Sequence, residues 1–584
     1  MSGQKLFYRT DKVLKREFMH YFFPAMLTTA ALSLSEFADS MIVSNLLDSK
    51  AMSIVQLGSP VMFVSAAIYI LLGVGGSTLY AISLGERNRD KAGRLLSVSV
   101  MTSVFTGLLM TALGLIFFRQ FSGIICTEPE LKEGFEPYLR VLLISMPFLI
   151  TVLTFVSFLP PAGKPGMATA VNIIANVVNI GMDVVYIKFL GMGPEGAAWA
   201  TVTGYAIGAV VIIVMLISKK LKLHVRLPKL SDLALLKEIV PLGAPFSVTQ
   251  TGFAVKFAVS GILAQRYAGA DGMSAFSLCI QAMSVLTSIL MSAVMEASLP
   301  IMALLHGQRD HVGEKLIFRN ALIMNLMLMG VTSVLLFIFA DWAAAVYNIT
   351  EPAAAALAAR GLRIFLLSIL LRGYFVAMQK QAQVIGKKLY PLFISLFDGV
   401  IGILPICWLF TELMGIDGLF WAYSVTAIIT VIICMVWNAI IAKRSNGRIS
   451  PILLNLCDKD SGVVMNVTIT DSDEDITGVS EALQKRCDEM GFDRSRSYKA
   501  ALMVEEMGVY LRSRLKNSGY MDVLLRSDGG SIEIDFRTIG AEGDPNADDE
   551  RNIDENIAVL RSIASEIKYD FVMGMNCTEI VLEK

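Results

Sequence analysis

Polar side chains interrupt the apolar stretches of the first half of the sequence at helical spacing. Glu36 and Asp39 are three residues apart, which would place them on one face of a helix. A later stretch carries polar residues at spacings of three and four, which a helix turns into a single stripe: Asn172, Asn176, Asn179 and Asp183. Thr201 lies on the next apolar stretch. Their oxygens could bind a hard monovalent cation, and a buried carboxylate could carry a proton.

An ionisable residue inside a membrane is costly, so buried carboxylates predict a function. We expect a coupling site for H+ or Na+ made of Asp39, Asn179, Asp183 and Thr201, with Glu36 beside it. The alternative is that the polar stripe only joins helices through hydrogen bonds. Asparagines alone would favour that alternative, whereas two carboxylates in the same half of the chain favour the coupling site.

The second half of the sequence carries a different polar set. Gln250 and Lys256 are on one apolar stretch, and Asp398 is on another. Lys256 and Asp398 could form a buried ion pair, or Asp398 could titrate; a purely structural pair is an equal alternative. Gln250, Lys256 and Asp398 are therefore a candidate polar site of this half. We expect Arg372 and Lys380 to line an aqueous cleft or to reach toward the membrane surface.

Long apolar helices must position these residues. The chain has 584 residues, of which 54% are hydrophobic and 17% charged, against roughly 25% charged in a soluble domain. A helix needs about 20 apolar residues to cross a bilayer. Twelve such stretches are present: 20–46, 55–84, 92–118, 137–160, 166–190, 195–218, 237–266, 275–304, 315–341, 360–384, 389–413 and 416–442. The first 450 residues are thus predicted to be an all-α polytopic membrane protein with twelve transmembrane helices.

Lys and Arg are concentrated in alternate loops. They are frequent before the first stretch, between the second and third, between the sixth and seventh, and after the twelfth. The loop between the third and fourth stretches is acidic instead. Short loops rich in Lys and Arg stay in the cytoplasm. Both termini are therefore expected to be cytoplasmic, and the protein is expected in the plasma (inner) membrane of a bacterial cell.

The sequence repeats itself at an offset of about 222 residues. The segment from Gly191 to Ala200 recurs from Leu413, and the segment from Gly85 to Asp90 recurs from Gly307. Six helices in each half, in the same orientation, predict two lobes related by a pseudo-twofold axis along the membrane normal. The predicted boundaries are 1–230 for the N-lobe and 231–450 for the C-lobe. A cleft between two such lobes is typical of a secondary transporter.

Residues 466–584 differ in composition from the rest of the chain. They carry 25 acidic and 14 basic residues, whereas the first 465 carry 26 acidic and 36 basic. Their apolar patterns predict strands at 467–470, 521–525, 532–536 and 577–582, helices at 476–490, 497–515 and 553–566, and an acidic loop at 540–551. We expect a small cytosolic α/β domain after a linker, 451–465. Transport should not require it, because no membrane segment or repeat element lies in it.

The ordered motifs of residues 1–445 resemble the multidrug and toxic compound extrusion (MATE) family of the multidrug/oligosaccharidyl-lipid/polysaccharide exporter superfamily. They are Phe37-Ala-Asp-Ser-Met-Ile-Val, Pro60, Leu84-Gly-Glu-Arg-Asn-Arg-Asp-Lys-Ala, Gly163-Lys-Pro, Asn179-Ile-Gly-Met-Asp and Gly196-Ala-Ala-Trp-Ala-Thr. The resemblance implies a cation-coupled drug exporter with two lobes, in which the N-lobe cluster named above takes the proton or sodium ion. Some members have an acidic site in the second lobe; this sequence has Gln250 and Lys256 there instead.

Residues 466–584 more loosely resemble the anti-sigma-factor serine kinases of the GHKL ATPase fold. In that family a Glu is followed four residues later by a magnesium-binding Asn. Here Glu505 and Glu506 are followed by Val509 and Tyr510, and Thr538 replaces an Asp of the adenine-binding box. The resemblance implies a degenerate, non-catalytic domain that a cytosolic regulatory protein could contact. An active ATPase is the alternative.

These features favour a secondary-active antiporter that exports amphipathic organic cations or drugs in exchange for H+ or Na+ by rocking of the two lobes. One alternative is a flippase for a lipid-linked oligosaccharide, which Lys256, Arg372 and Lys380 would suit. The other is a membrane-anchored anti-sigma-type kinase. We expect no enzyme activity, no cofactor beyond the coupling ion and no nucleic-acid partner. Four His and seven scattered Cys form no zinc-binding pattern.

Overall fold

Helices fill most of the chain, and a small sheet domain follows them. The computed structural model describes residues 9–46, 49–126, 129–218, 223, 225–346, 352–446, 448–455, 463–514, 519–528, 531–546 and 554–583. The description is limited to the backbone at 34–46, 49–50, 52–53, 129, 270, 285–288, 346, 513–514 and 528.

The helices of the N-lobe begin where the sequence offers a helix start. They are α1 (Lys12–Leu46), α2 (Ser49–Leu57), α3 (Ser59–Gly85), α4 (Arg89–Ile116), α5 (Phe118–Ile125), α6 (Pro129–Val156), α7 (Pro165–Asp183) and α8 (Pro194–Ile217). Proline occupies the first turn of α3, α7 and α8, where its missing N–H costs nothing. The Asn88 side chain caps α4 by accepting from the Lys91 N–H at 2.9 Å. A π-helical segment, Val184–Phe189, extends α7.

The C-lobe repeats this arrangement. Its helices are α9 (Leu236–Leu286), α10 (Ser292–Gly307), α11 (His311–Ile338), α12 (Ala340–Val346), α13 (Pro352–Val384), α14 (Leu389–Leu396), α15 (Ile403–Met414) and α16 (Ile416–Arg444). Ala268 and Gly269 have non-helical backbone angles that divide α9 into the seventh crossing and the start of the eighth. Within the described residues, eleven helical runs are long and apolar enough to cross a membrane. With the 35-residue α1, there are twelve membrane helices in two six-helix lobes.

The backbone confirms the repeat that the sequence predicted. Gly193 and Gly415, 222 positions apart, precede α8 and α16 with almost the same φ and ψ, 60° and −142° against 64° and −144°. Arg87 and Arg309, also 222 apart, share a left-handed φ of 58° and 57°. An L side chain rarely adopts this conformation outside a constrained turn. The two lobes therefore reuse the same turns at equivalent positions.

The two lobes meet along α3 and α9 and again at one end of the membrane domain. A Cβ on Gly85 would overlap the Leu304 carbonyl oxygen, and a Cβ on Gly307 would overlap the Ile82 carbonyl oxygen. Glycine at both equivalent positions thus allows the two backbones to meet. We call this contact the seam. We call this end of the membrane domain the docked end, because the C-terminal domain packs on it.

The C-terminal domain is a five-stranded antiparallel sheet with three helices. Its elements are β1 (Val463–Thr470), α17 (Asp473–Glu489), α18 (Arg494–Arg514), β2 (Tyr520–Asp528), β3 (Ser531–Ile539), α19 (Glu555–Ile563), β4 (Glu566–Val572) and β5 (Met575–Leu582). The strand order is β1-β2-β3-β5-β4. All the predicted strands and helices are present, and the structure adds one strand, β4, that the sequence analysis missed. Strand β1 begins at Val463, inside the predicted linker 451–465.

The two faces of this sheet meet different partners. One face packs on the three helices through residues such as Ile534, Phe536 and Val504. Met573 and Met575, at the turn between β4 and β5, belong instead to an apolar core shared with Leu14 of α1 and Leu305 of α10. The opposite face of the sheet is therefore covered by the docked end of the membrane domain.

Candidate functional site

Helix α7 positions the polar stripe of the N-lobe. Asp183 has no exposed surface, Asn172 is 7% exposed, and Asn176 and Asn179 are half-buried. Asp183 is the last α-helical residue before the π-helical segment Val184–Phe189. Such π-helical insertions are frequent at functional sites because they change which side chains face inward. The polar residues of the stripe therefore face the interior of the N-lobe.

Helix α8 brings Thr201 toward this stripe. A Cβ on Gly204 would lie 3.0 Å from the Asn179 Cβ, so the two helices are in close contact one turn beyond Thr201. The Thr201 hydroxyl donates to the Ala197 carbonyl oxygen of its own helix at 3.1 Å. Its proton is therefore used within the helix, and the oxygen keeps lone pairs that can face a cation. Nearby, the Tyr186 and Thr203 hydroxyls are 3.2 Å apart.

The side chains of Glu36 and Asp39 lie outside the described residues. Their backbone belongs to α1, which contacts α7 where the Thr28 and Thr169 hydroxyls are 2.7 Å apart. Both helices begin at the docked end, so they run in the same direction. At about 1.5 Å per residue, position 39 of α1 is at the level of residue 180 of α7. The backbone thus carries Asp39 to the height of the stripe.

Two cations converge on one carboxylate in the C-lobe. The Lys256 Nζ is 3.0 Å from Asp398 Oδ2, and an Arg372 Nη2 is 2.9 Å from the same oxygen. Lys256 is 1% exposed and Asp398 8%. The ion pair between Lys256 and Asp398 that the sequence suggested is present, and Arg372 joins it rather than standing apart in a cleft.

Gln250 is not part of this cluster. It is half-buried on α9, six residues before Lys256, and six residues rotate a helix to a different face. The neighbouring Thr249 hydroxyl donates to Ser395 Oγ at 2.8 Å, and Gln379 Nε2 donates to the same oxygen at 3.1 Å. This polar link between three helices was missed, because none of its members is charged.

Glu296 is a further polar residue of the C-lobe that is absent from the predicted site of Gln250, Lys256 and Asp398. It is exposed, although its neighbours on α10 are buried: Ala293, Val294, Met295, Ala297 and Ser298. An exposed carboxylate on an otherwise enclosed membrane helix faces open space inside the protein. On α13, the Lys380 Nζ lies 3.9 Å from the centre of the Phe246 ring. The Lys380 ammonium therefore already makes a cation–π contact with this ring.

Three potential metal ligands meet at the docked end. Nδ1 of His306 is 3.1 Å and Nδ1 of His311 3.6 Å from Glu314 Oε2, and Gln381 donates to the other oxygen at 2.7 Å. It is the sole such trio in the parts of the chain that the structure describes. These hydrogen bonds account for the buried carboxylate without an ion. The arrangement braces the turn between α10 and α11.

The comparisons with known proteins agree with this architecture. A sequence profile of the MatE family matches residues 24–185 and 245–409, more than half of the chain. The chain belongs to the MATE family. The multidrug export protein MepA of Staphylococcus haemolyticus (strain JCSC1435) is 22% identical over 444 residues, covering 74% of this chain and 95% of MepA. MepA of Staphylococcus aureus (strain MRSA252) is 22% identical over 426 residues, covering 72% and 93%.

A solved structure gives the same fold. An outward-facing multidrug resistance MATE family transporter of the MOP superfamily superposes with a TM-score of 0.69 at 20% identity, covering 75% of this chain and 99% of that one. This MATE-family chain is therefore a multi-pass membrane transporter and not an enzyme. The profile match ends at residue 409, before the C-terminal domain.

Proposed function

We propose that this chain exports drugs, in particular amphipathic organic cations, in exchange for H+ or Na+. The two lobes rock about the cleft between them, and the coupling ion binds in the N-lobe at Asp39, Asn179, Asp183 and Thr201. Asp183 is the observation that carries the proposal, because it has no exposed surface and lies within a membrane-spanning run. A carboxylate there requires a proton, a cation or strong donors.

The substrate class is supported by the relatives and by the cleft. The two staphylococcal relatives are named multidrug export proteins. Glu296 is exposed on an otherwise buried membrane helix, and the Phe246 ring lies on the neighbouring α9. The Glu296 carboxylate attracts an organic cation, which would compete with Lys380 for the face of the Phe246 ring. Such a surface favours broad specificity.

The orientation follows from the loop charges. The docked end carries Arg87, Lys387 and Lys388 in short loops and Arg89 directly after one, and loops rich in Lys and Arg stay in the cytoplasm. The proposed location is therefore the plasma membrane with both termini in the cytoplasm. The seam then closes the cytoplasmic side, which agrees with the superposition on an outward-facing transporter.

Efflux from proteoliposomes with an imposed pH or sodium gradient is the direct test. Asp183→Asn keeps the side-chain shape but removes the charge, so gradient-driven ethidium efflux should fall to background. Asp341→Asn is the matched control, because the Asp341 side chain is 75% exposed and pairs with Arg363 at 2.7 Å. It should export as the unchanged protein does. Collapsing one gradient at a time identifies the coupling ion.

Two results would contradict the proposal. Wild-type efflux by Asp183→Asn would exclude this residue from coupling. Efflux that persists without either gradient would exclude an antiporter. Ethidium binding by Asp183→Asn, measured by fluorescence anisotropy, separates a loss of coupling from a loss of substrate binding.

The C-lobe cluster favours one alternative function. Lys256 and Arg372 share the single carboxylate of Asp398, which leaves a net positive charge in the lobe. A diphosphate group of a lipid-linked oligosaccharide would suit that charge. Transbilayer movement of such a lipid in the same proteoliposomes, without ethidium efflux, would support a flippase.

The C-terminal domain is proposed to be non-catalytic. Val509 and Tyr510 are at the positions where the ATPase family could have its magnesium-binding Asn, and Val509 has no oxygen ligand. Tyr510 is 1% exposed and belongs to the core between helices and sheet. A side chain packed in that core does not reach a nucleotide. This arrangement disfavours the kinase alternative.

A further inference from the structure

Two arginines of its sheet join the C-terminal domain to the C-lobe by hydrogen bonds. Arg537 of β3 donates to Asp310 Oδ2 and to Gln308 Oε1, each at 2.7 Å. Arg526 of β2 donates to the Gln308 carbonyl oxygen at 2.9 Å. Both partners belong to the turn between α10 and α11. We call these contacts the C-lobe anchor.

The C-lobe anchor is buried and balanced in charge. Arg9, just before α1, lies 3.1 Å from Asp310 and 3.0 Å from Asp522 of β2, so two guanidinium groups face two carboxylates. The exposed fractions of the Arg9, Asp310, Asp522 and Arg537 side chains are all 7% or less. Burial opposes ionisation, yet Arg9 and Arg537 hold the pKa of Asp310 well below its usual range. Breaking such a cluster leaves uncompensated buried charge.

Acidic residues of the same sheet form salt bridges with the N-lobe. Arg87 lies 2.6 Å from Glu579 of β5 and 3.5 Å from Asp570 of β4, and Arg89 lies 2.6 Å from Asp570. Arg87 belongs to the turn between α3 and α4, and Arg89 is the first residue of α4. We call these contacts the N-lobe anchor.

The turn between β4 and β5 strengthens the hold on the N-lobe. Met573 and Gly574 both have positive φ, 55° and 77°, as a tight two-residue hairpin requires. A Cβ on Gly163 would lie 3.2 Å from the Met573 Cα, so the hairpin is seated on the turn before α7. Gly574 lies against the Glu17 carboxylate of α1, which is 2% exposed.

The two anchors are held by neighbouring strands. Arg537 of β3 is opposite Cys577 of β5, and Glu579 is two residues further along β5. A hydrogen-bonded sheet does not stretch, so the anchors keep a fixed separation. The two segments that the anchors bind, 85–89 and 307–310, are the segments that meet at the seam. Separating the seam therefore requires that one anchor break.

The anchors use several positions where the two repeats differ, although Arg87 itself corresponds to an identical residue, Arg309. At the offset of 222, Asn88 corresponds to Asp310, and Arg89 corresponds to His311. The N-lobe turn is basic and receives acidic residues of β4 and β5, whereas the C-lobe turn offers Asp310 to Arg537. This charge difference lets the pseudo-symmetric surface accept the sheet in one orientation only.

We propose that the C-terminal domain is a cytoplasmic clamp that joins both lobes across the seam and favours the state with the cytoplasmic side closed. This inference rests on the proposed rocking of the lobes. Arg537 and Arg87 act as positioning residues for the transport cycle, although neither contacts the candidate coupling site. Releasing either anchor should let the seam open, because a clamp needs both ends.

Distances between spin labels test the clamp in the full chain. Labels at Asp90→Cys and Lys387→Cys, exposed positions of the two lobes at the docked end, report the width of the seam. The six described native cysteines are buried, and Cys457 is replaced by Ser. Each anchor is released separately by Arg87→Ala or Arg537→Ala. Arg486→Ala is the control, because Arg486 pairs with Glu489 on α17, away from both lobes.

The unchanged protein and the control should show mainly the short, closed distance. Arg87→Ala and Arg537→Ala should each raise the population of longer distances by about tenfold or more. Arg537→Ala leaves buried charge uncompensated in the C-lobe anchor, and Arg87→Ala removes a partner of both Glu579 and Asp570 in the partly exposed N-lobe anchor. Should Arg537→Ala unfold the domain, the clamp is also lost and the seam should still open. A distance distribution that neither variant changes would overturn the clamp. The measurement needs no transport, so a failure of the proposed export function would leave its result readable.

Discussion

The cluster of Lys256, Arg372 and Asp398 makes an asymmetric prediction about stability. A simple ion pair would suffer equally from the loss of either partner. Here Asp398 has two cations within 3.0 Å, whereas each cation has the same single carboxylate. Removing the anion should therefore destabilise the protein more than removing one cation.

The magnitudes follow from burial. Asp398→Asn leaves Lys256, 1% exposed, and Arg372 facing each other without a counter-charge, which should cost about 3–5 kcal/mol. Lys256→Met loses one charge-assisted hydrogen bond but also removes a buried ammonium, and Arg372 still neutralises Asp398. We expect a cost of about 1–2 kcal/mol. The double variant should cost less than the sum of the two singles.

Thermal unfolding with a thiol-reactive fluorescent dye measures this series in detergent. The six described cysteines are buried, so with Cys457 replaced by Ser the dye labelling reports loss of the fold. A fixed heating rate is required because unfolding of a large membrane protein is not reversible. Asp341→Asn, at an exposed position, is the control. A melting temperature lowered at least as much by Lys256→Met as by Asp398→Asn would refute the shared-carboxylate account.

Three further predictions concern the C-terminal domain in the intact chain. Burial raises the pKa of Glu17 from 4.5 to about 7 against the opposing charge of Arg16, and Gly574 of the hairpin helps to cover this carboxylate. The docked state should therefore bind the proton more tightly, and docking should weaken as pH rises from about 4.5 to 7. Limited proteolysis should show this pH dependence, and Glu17→Gln should abolish it. Gly163→Ala places a Cβ 3.2 Å from the Met573 Cα, and this crowding should weaken docking by roughly 1–2 kcal/mol. Gly166→Ala, with nothing within 4 Å of its Cβ, should not weaken docking in the same proteolysis assay. Calorimetric titration with Mg-ATP should give no saturable binding; micromolar affinity with phosphate transfer would make the domain an enzyme.

The membrane helices could be located from the sequence because few backbone structures are stable inside a bilayer. Backbone groups in hydrocarbon must bond within their own segment, so each apolar stretch of about 20 residues becomes a helix. The repeat could be read for a similar reason: Gly193 and Gly415 occupy turns that require a left-handed φ. The spacing of Asn179 and Asp183 likewise fixed their common face. These are local rules, and they hold whatever surrounds the segment.

Strand β4 shows where local rules fail. Its residues, Glu566–Val572, alternate polar and apolar, but the sequence before them continues a helical pattern, and the predicted helix was extended to 566. The structure ends α19 at Ile563 because β4 can pair with β5 along its whole length. That pairing, and the hairpin at Met573, depend on contacts that the sequence pattern does not encode.

The sequence alone determined the number of membrane-crossing helices, their division into two lobes and the polar stripe of the N-lobe, because hydrophobicity and helical spacing act over a few residues. It also indicated that the C-terminal domain is a separate unit with a charged, solvated surface. In the tertiary structure, however, one face of its sheet is buried against the docked end of the membrane domain. Arg9, Asp310 and Arg537 are far apart in the chain, and each reads as a surface charge. They become buried partners because a charge can leave water where the fold supplies its counter-charge.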